Sequence, residues 1–307
     1  MADGFRGAYK NIGIPMAGSH MTTGQVLFVD SNSGSDSNSG KDPNHAFATL
    51  DYAVGKCSAT DADGNTKYGD TIYCMPGHAE TTGSTTMDVA GVHVIGLGHG
   101  KSRPSFTSAT ATDVITVTAA NCMIDNIQFG APGIDLVTAY VNVAAAGFTG
   151  RNWYASDCSG STTYNVVDCI TITADGDDCL LENITFFNKT APVTCFLDLE
   201  GAASNVQLRH IWFFGDTVTG GIIDTAKIDY LLMEDVNVGV VGTTMPAITL
   251  DSNPEGIARN CFFAGTAATI ATTANMGNLM RLENIRVTNE TDGSLSGGLY
   301  PAVDAAT

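Results

Sequence analysis

Residues 124–129, Ile124-Asp125-Asn126-Ile127-Gln128-Phe129, run apolar, any, Asn, apolar, any, apolar, and the chain repeats that pattern. Leu181-Glu182-Asn183-Ile184-Thr185-Phe186 and Leu282-Glu283-Asn284-Ile285-Arg286-Val287 are close copies. Weaker copies centre on Gly96, Asn152, His210, Asp235 and Asn260. The eight centres stand 30, 26, 31, 27, 25, 25 and 24 residues apart. A fixed period in this range marks a repeat architecture, in which each unit buries its apolar face only by stacking on the next. The period fits one turn of three short strands and three bends. We therefore expect an all-β fold, a right-handed parallel β-helix of about eight turns.

The columns at fixed distances from each centre agree with this reading. The centres are Asn, Gly, His or Asp, the residue types that best tolerate a left-handed backbone, so each marks a sharp bend between two strands. Stacked Asn126, Asn152, Asn183, Asn260 and Asn284 are placed to hydrogen-bond along the column. Positions two before, one after and three after the centres are mostly apolar and form the core. The position just before each centre points outward. From the second turn on it reads Asp125, Arg151, Glu182, Arg209, Glu234, Arg259, Glu283, alternating in sign at every step. Turns stacked in register at roughly 4.8 Å make this an ion-pair ladder. Each exposed pair is worth about 0–1 kcal/mol, but a one-turn slip would set like charges together.

Three before the centres stand His93, Met123, Thr149, Leu180, Gln207, Leu232, Ile257 and Arg281, half of them apolar on a face expected to be exposed. Trp212 and Phe262, two after their centres, add bulk. An apolar stripe on a solenoid face marks a contact surface. Met123, Leu180, Leu232, Ile257, Trp212 and Phe262 are accordingly the candidate interface, with self-association as its first use.

At the start, Val26-Leu27-Phe28-Val29 reads as a strand. Ala46 to Lys56 reads as a short amphipathic helix capping the open end, with Phe47, Leu50, Val54 and Cys57 on one face. The polar loop from Asp30 to Pro43 lacks the glycine and terminal glutamate of an EF-hand, so Asp30, Asn32 and Asp36 read as loop formers rather than calcium ligands. Residues 1–24 lie outside the helix. Their Phe5, Tyr9, Ile12 and Ile14 suggest an arm that orders on a neighbour. The organisation expected is an arm at 1–24, a β-helix at 25–290 and a tail at 291–307, with segments 131–147 and 156–167 left unplaced, as loops bulging from the stack.

Composition narrows the partners. Net charge is −18 with only 14 Lys and Arg, which argues against nucleic acid. No apolar run reaches membrane-span length, and no signal peptide is evident, so synthesis in a host cytoplasm is expected. The eight cysteines stand singly without CxxC pairs and read as small buried thiols, with no metal site and no cofactor. Asp175, Asp177 and Asp178 read as acids of a turn, and His210 as a bend residue. No catalytic constellation is visible, so the reading leans away from an enzyme.

Four stretches, Phe28-Val29-Asp30-Ser31, Ala46-Phe47-Ala48-Thr49-Leu50, Gly69-Asp70-Thr71-Ile72-Tyr73 and Val94-Ile95-Gly96-Leu97-Gly98, resemble the opening of pectate-lyase-like β-helix proteins. Phage-encoded virion proteins of that group are the nearest in kind. The resemblance spans about residues 25 to 290 and specifies fold better than function. It implies a homotrimer in a virion, docked by its arm on the major capsid protein or another virion protein, as head decoration or cement. The alternative it implies is a tail-spike or fibre module that binds or cleaves host polysaccharide, so glycans stay open as ligands.

Overall fold

The structure is a computed structural model that describes residues 24–60, 64, 69–161, 164–201, 203–224, 226, 228–241, 246–250, 254–265 and 279–289. Strand pairs with strand in parallel throughout these residues, at sequence separations of one turn. The chain is a parallel β-helix.

Three columns of strands form its walls. The first begins with Val26–Val29, Thr71–Cys74, His93–Gly96, Met123–Asp125 and Thr149–Arg151. It continues through the leading parts of Leu180–Val193, Gln207–Thr217 and Leu231–Val240 to Glu255–Arg259 and Leu279–Glu283. The trailing parts of those three long strands pass into the second column, beside Gln128–Phe129, Tyr154–Ala155, Phe262–Gly265 and Arg286–Asn289. The third column holds seven strands, from Thr85–Met87 to Ile248–Thr249.

The corner between the first two columns is made by the predicted centres. Asn126, Asn152, Asn183, His210, Asp235, Asn260 and Asn284 all have φ between 52° and 58°. Gly96 does not belong to this set. It is extended, and a Cβ there would meet the Asn126 carbonyl oxygen at 2.0 Å, so glycine serves close packing while Gly98 (φ 108°) turns the chain. The third column's seven strands give about seven turns rather than eight among the described residues.

A second left-handed column escaped the repeat pattern. Asn121, Gly147, Asp178, Asn205 and Tyr230 each stand five residues before a centre and have φ between 54° and 73°. The first-column strands of these five turns are thus pinned between two bends. The backbone closes this column as well, with Asn121 N–H donating to Ala146 O (2.9 Å), Gly147 to Asp177 O (2.8 Å) and Asp178 to Ser204 O (2.9 Å). Asp177 accepts from Ser204 N and Oγ, and Asp178 from Asn205 Nδ2, so two of the acids at 175–178 hold the corner together.

The inward columns are apolar and sealed. Ile124, Leu181, Leu208 and Met233 before the bend, and Ile127, Trp153, Ile184 and Phe186 after it, are at most 1% exposed. Large and small residues interdigitate across turns: a Cβ on Gly150 would strike the Trp153 ring at 2.5 Å. Phe129 stacks on Tyr140 at 4.7 Å, Phe186 on Phe213 at 5.8 Å and Phe213 on Phe196 at 5.3 Å, building a continuous aromatic file along the axis.

The cap differs from its expected extent. The helix covers only Leu50–Val54, with Thr49 Oγ1 accepting from Tyr52 N at its start, while Phe47 is drawn out of it by a parallel bridge to Val29. Buried polar groups lock it on. Glu80 accepts from Leu50 N (2.9 Å) and faces Nε2 of fully buried His78 (3.0 Å), whose Nδ1 accepts from Ser31 N. Nδ1 therefore carries no proton and Nε2 is the donor. Asp36 accepts from Ala48 N, Thr49 N and Thr49 Oγ1, so its oxygens tie the polar loop to the start of the helix. In Asp30, burial works to raise the pKa, yet hydrogen bonds from Ser33 and Asn32 hold its carboxyl below the ordinary value. The segments left unplaced by sequence are partly wall: Val137–Val143 is a complete third-column strand, and Val166–Ile172 begins inside the second of them.

Candidate contact surface

The outer faces of the first and second columns carry nearly all the residues singled out by sequence. On the first face, strand register pairs Asp125 with Arg151, Arg151 with Glu182, Glu182 with Arg209, Arg209 with Glu234, Glu234 with Arg259 and Arg259 with Glu283. The closest ion pair of this column is Arg259 to Glu234 at 2.9 Å, with Arg209 to Glu234 at 4.0 Å. Neighbouring columns take other members. Asp125 accepts from Asn152 Nδ2 at 2.6 Å, Arg151 reaches the Met123 sulfur at 3.0 Å, and Glu283 pairs with Arg281 at 2.7 Å.

The bend column bonds from turn to turn in pieces. Asn126 Nδ2 donates to Gly96 O, Asn183 Nδ2 to Asn152 Oδ1 (2.6 Å) and Asn284 Nδ2 to Asn260 Oδ1 (2.8 Å). Between these pieces His210 Nδ1 lies 3.2 Å from Asp235.

Register also aligns Met123, Leu180, Leu232 and Ile257 in one column, but not as an open stripe. Thr149 and Gln207 interrupt it, Met123 is buried at 6%, Leu180 and Leu232 are half-buried, and Ile257 is 38% exposed. Beside the charged column, this face is amphipathic and largely covered by its own side chains.

The second face is barer. Trp212 is 56% exposed, and two residues further along the same strand Phe214 is 40% exposed with its ring lying where a Gly239 side chain would be. Val218 and Val241, the first residues past Gln207–Thr217 and Leu231–Val240, are 53% and 43% exposed. Phe262 is half-buried under the Arg286 guanidinium at 6.0 Å, and Tyr154 meets Phe187 edge-on at 6.4 Å one turn before Trp212. Sequence reasoning found Trp212 and Phe262 but missed Phe187 and Phe214. The signal was present: positions two and four after a centre share one face of a strand. Phe5, Tyr9, Ile12 and Ile14 of the arm, and residues 291–307, lie outside the described residues.

A third feature came from no motif. Asp168, Cys195 and Asp198 converge on the third column, from strands of successive turns. Only register reveals this grouping, because the residues are 27 and 3 apart in sequence.

No protein-family model matches the chain, and no curated protein does. Among solved structures the chain is similar to pectin methylesterase from Aspergillus niger at 13% identity, covering 92% of both chains with a TM-score of 0.47. It is similar to a rhamnogalacturonan lyase at 13% identity, covering 92% of this chain and 90% of that one with a TM-score of 0.43. It is also similar to ORF18 of Geobacillus virus E2 at 10% identity, covering 79% of this chain and 57% of that one with a TM-score of 0.29. Among the described residues no helix is long and apolar enough to cross a membrane.

Proposed function

We propose that the chain is a structural protein of a bacteriophage virion, a β-helix homotrimer used as head decoration or cement. Its N-terminal arm, through Phe5, Tyr9, Ile12 and Ile14, docks on the major capsid protein or another virion protein. The observation that carries this reading is the bare second face, where Trp212, Phe214, Val218 and Val241 stand open on two successive turns. Exposed apolar groups gathered on one face favour a protein interface, and three copies packed by one face close without leaving a sticky surface. The net charge of −18 keeps copies soluble at the concentrations assembly needs. The virion setting extends the resemblance of the opening segments.

The experiment is light scattering of the full chain and of a chain lacking residues 1–24, followed by binding of each to undecorated particles. A trimer in both forms, with particle binding lost on truncation, is the expected result. A full-length monomer that ignores particles overturns the reading. The second reading, a spike or fibre module for polysaccharide, is favoured by the same Trp212 and Phe214, because flat exposed rings can stack on sugar faces. Retention of the monomer on immobilised polysaccharide, lost in Trp212→Ala, is the result that selects it.

A further inference from the structure

Among the described residues, one group of side chains converges as metal ligands do: Asp168, Cys195 and Asp198, with one oxygen or sulfur of each within 4.8 Å of the others. Asp168 stands in Val166–Ile172 and the other two in Cys195–Leu199, the next turn of the third column. Register sets Asp168 beside Cys195, and the Cys195 thiol donates to Asp168 Oδ1 at 3.1 Å.

How Asp198 joins them needs explaining, because residues three apart on a flat strand point to opposite faces and lie about 10 Å apart. The strand is not flat there. Phe196 N and Leu197 N both donate to the Gly221 carbonyl, at 3.0 and 3.2 Å, so two successive residues face one acceptor. Phe196 and Leu197 are both fully buried, Phe196 against the Phe213 ring. This irregularity returns Asp198 to the side of Cys195. Asp198 is 8% exposed, and its buried Oδ1 has no hydrogen-bond partner. A buried carboxylate with an unpartnered oxygen, grouped with a thiol and a second carboxylate, is expensive unless a cation or a proton occupies the gap.

We propose that Asp168, Cys195 and Asp198 form a binding site for a borderline divalent cation of the zinc class, tying two successive turns of the β-helix together. A tetrahedral zinc ion with ligand distances of about 2.0–2.3 Å holds its ligand atoms about 3.5 Å apart, and the three ligand atoms here lie within 4.8 Å of one another. The donor set selects the ion. Calcium takes six to eight oxygens, whereas a thiolate with two carboxylates suits zinc, cobalt or cadmium. Half-exposed Asp168 gives the ion its way in and leaves room for a water as fourth ligand. On binding, the Cys195 thiol proton passes to solvent and the thiolate takes the ion.

The surrounding charge acts in the same direction. Burial first, and then the charges of Asp168, Glu200 and Asp224, push the Asp198 carboxyl up to about 7. Burial raises Asp168 and the Cys195 thiol too. A dication relieves this mutual repulsion, and a bound proton is the rival way to do so.

The test uses the full chain stripped with a chelator and titrated with zinc, and separately with cadmium, near neutral pH. One zinc per chain by metal analysis, a cadmium–thiolate charge-transfer band, proton release on binding, and no competition from a large excess of calcium are expected. Asp198→Asn should weaken zinc at least tenfold, and Cys195→Ser should abolish the cadmium band. Because either variant is at risk of misfolding, Asp168→Asn and a circular-dichroism spectrum of each accompany them. A folded wild type that takes up no zinc, or zinc retained unchanged by folded Asp198→Asn or Asp168→Asn, overturns the proposal and assigns the gap to a proton.

Discussion

The two outer faces that meet at the left-handed corner are built from the same turns, and three long strands run through both, yet they solve exposure differently. On the first, charges of alternating sign and half-buried aliphatics cover one another: Glu234 lies within 4.0 Å of Arg209 and 2.9 Å of Arg259, while Arg151 leans on Met123. On the second, Trp212 and Phe214 stand open with glycine at Gly239 where a covering side chain would be. A solenoid has no need of exposed tryptophan for its own stability, since its core file of Phe129, Phe186 and Phe213 is already complete inside. The difference therefore separates a face that stabilises and registers the stack from a face available to something else.

The largest expected effect contrasts neighbours on opposite sides of one strand. Phe213 is fully buried between Phe186 and Phe196, so Phe213→Ala should lose about 3–5 kcal/mol in chemical denaturation. Trp212→Ala, measured where the chain is monomeric, should change by no more than about 0.5 kcal/mol. Equal losses at the two sites would mean that the second face is covered by the chain itself and is not a contact surface.

Next in size is the loss of association. In Trp212→Lys with Phe214→Lys the proposed trimer should weaken by at least about 2 kcal/mol, roughly 30-fold in Kd, by light scattering or sedimentation. Ile257→Lys on the first face is the control. If it dissociates the assembly while the double variant does not, the roles of the two faces are exchanged.

The first of these faces was far more legible than the second. Asn126, Asn183 and Asn284 stand out in sequence because a left-handed residue is chemically marked, and from one such mark the alternating charges follow by counting. Phe187 and Phe214 carry no mark, since an aromatic residue in a strand is core as readily as surface, and only parity from the bend assigns it. The second bend column carried the same mark at Asn121, Gly147, Asp178 and Asn205, five residues before their centres, and only Tyr230, with φ 62°, has a chemistry that does not favour it. Asp168, Cys195 and Asp198 were illegible altogether, because their meeting depends on a one-turn register and on a local irregularity at Phe196, neither of which has a sequence signature. Gly96 shows the opposite failure: it fits the pattern, but for close packing against Asn126 rather than for a bend.

The bends themselves offer a smaller test. Asn183 has φ 56° and bonds to Asn152, so Asn183→Ala should cost about 1–2 kcal/mol for the left-handed backbone. Asn183→Gly removes the side-chain bond but not the backbone freedom, and should recover most of that loss in thermal melts. Should Gly and Ala be equally harmful, the amide ladder rather than the bend holds this corner.

Smallest is the ladder. Glu234 sits in register between Arg209 and Arg259, with both guanidinium groups in reach, and all three are partly exposed. Glu234→Gln should cost about 0–1 kcal/mol, and the cost should shrink as salt rises past physiological strength, where the screening length falls below about 8 Å. Glu234→Arg sets three like charges in succession and should be worse than Gln at low salt, with the two variants converging in high salt. A salt-independent penalty would assign Glu234 a packing role, and the alternation of sign along the first face would then owe nothing to electrostatics. Convergence instead makes the alternation a register device. It adds little to stability pair by pair, but it separates the correct stacking from one displaced by a single turn, which apolar columns of near-identical composition cannot do by themselves.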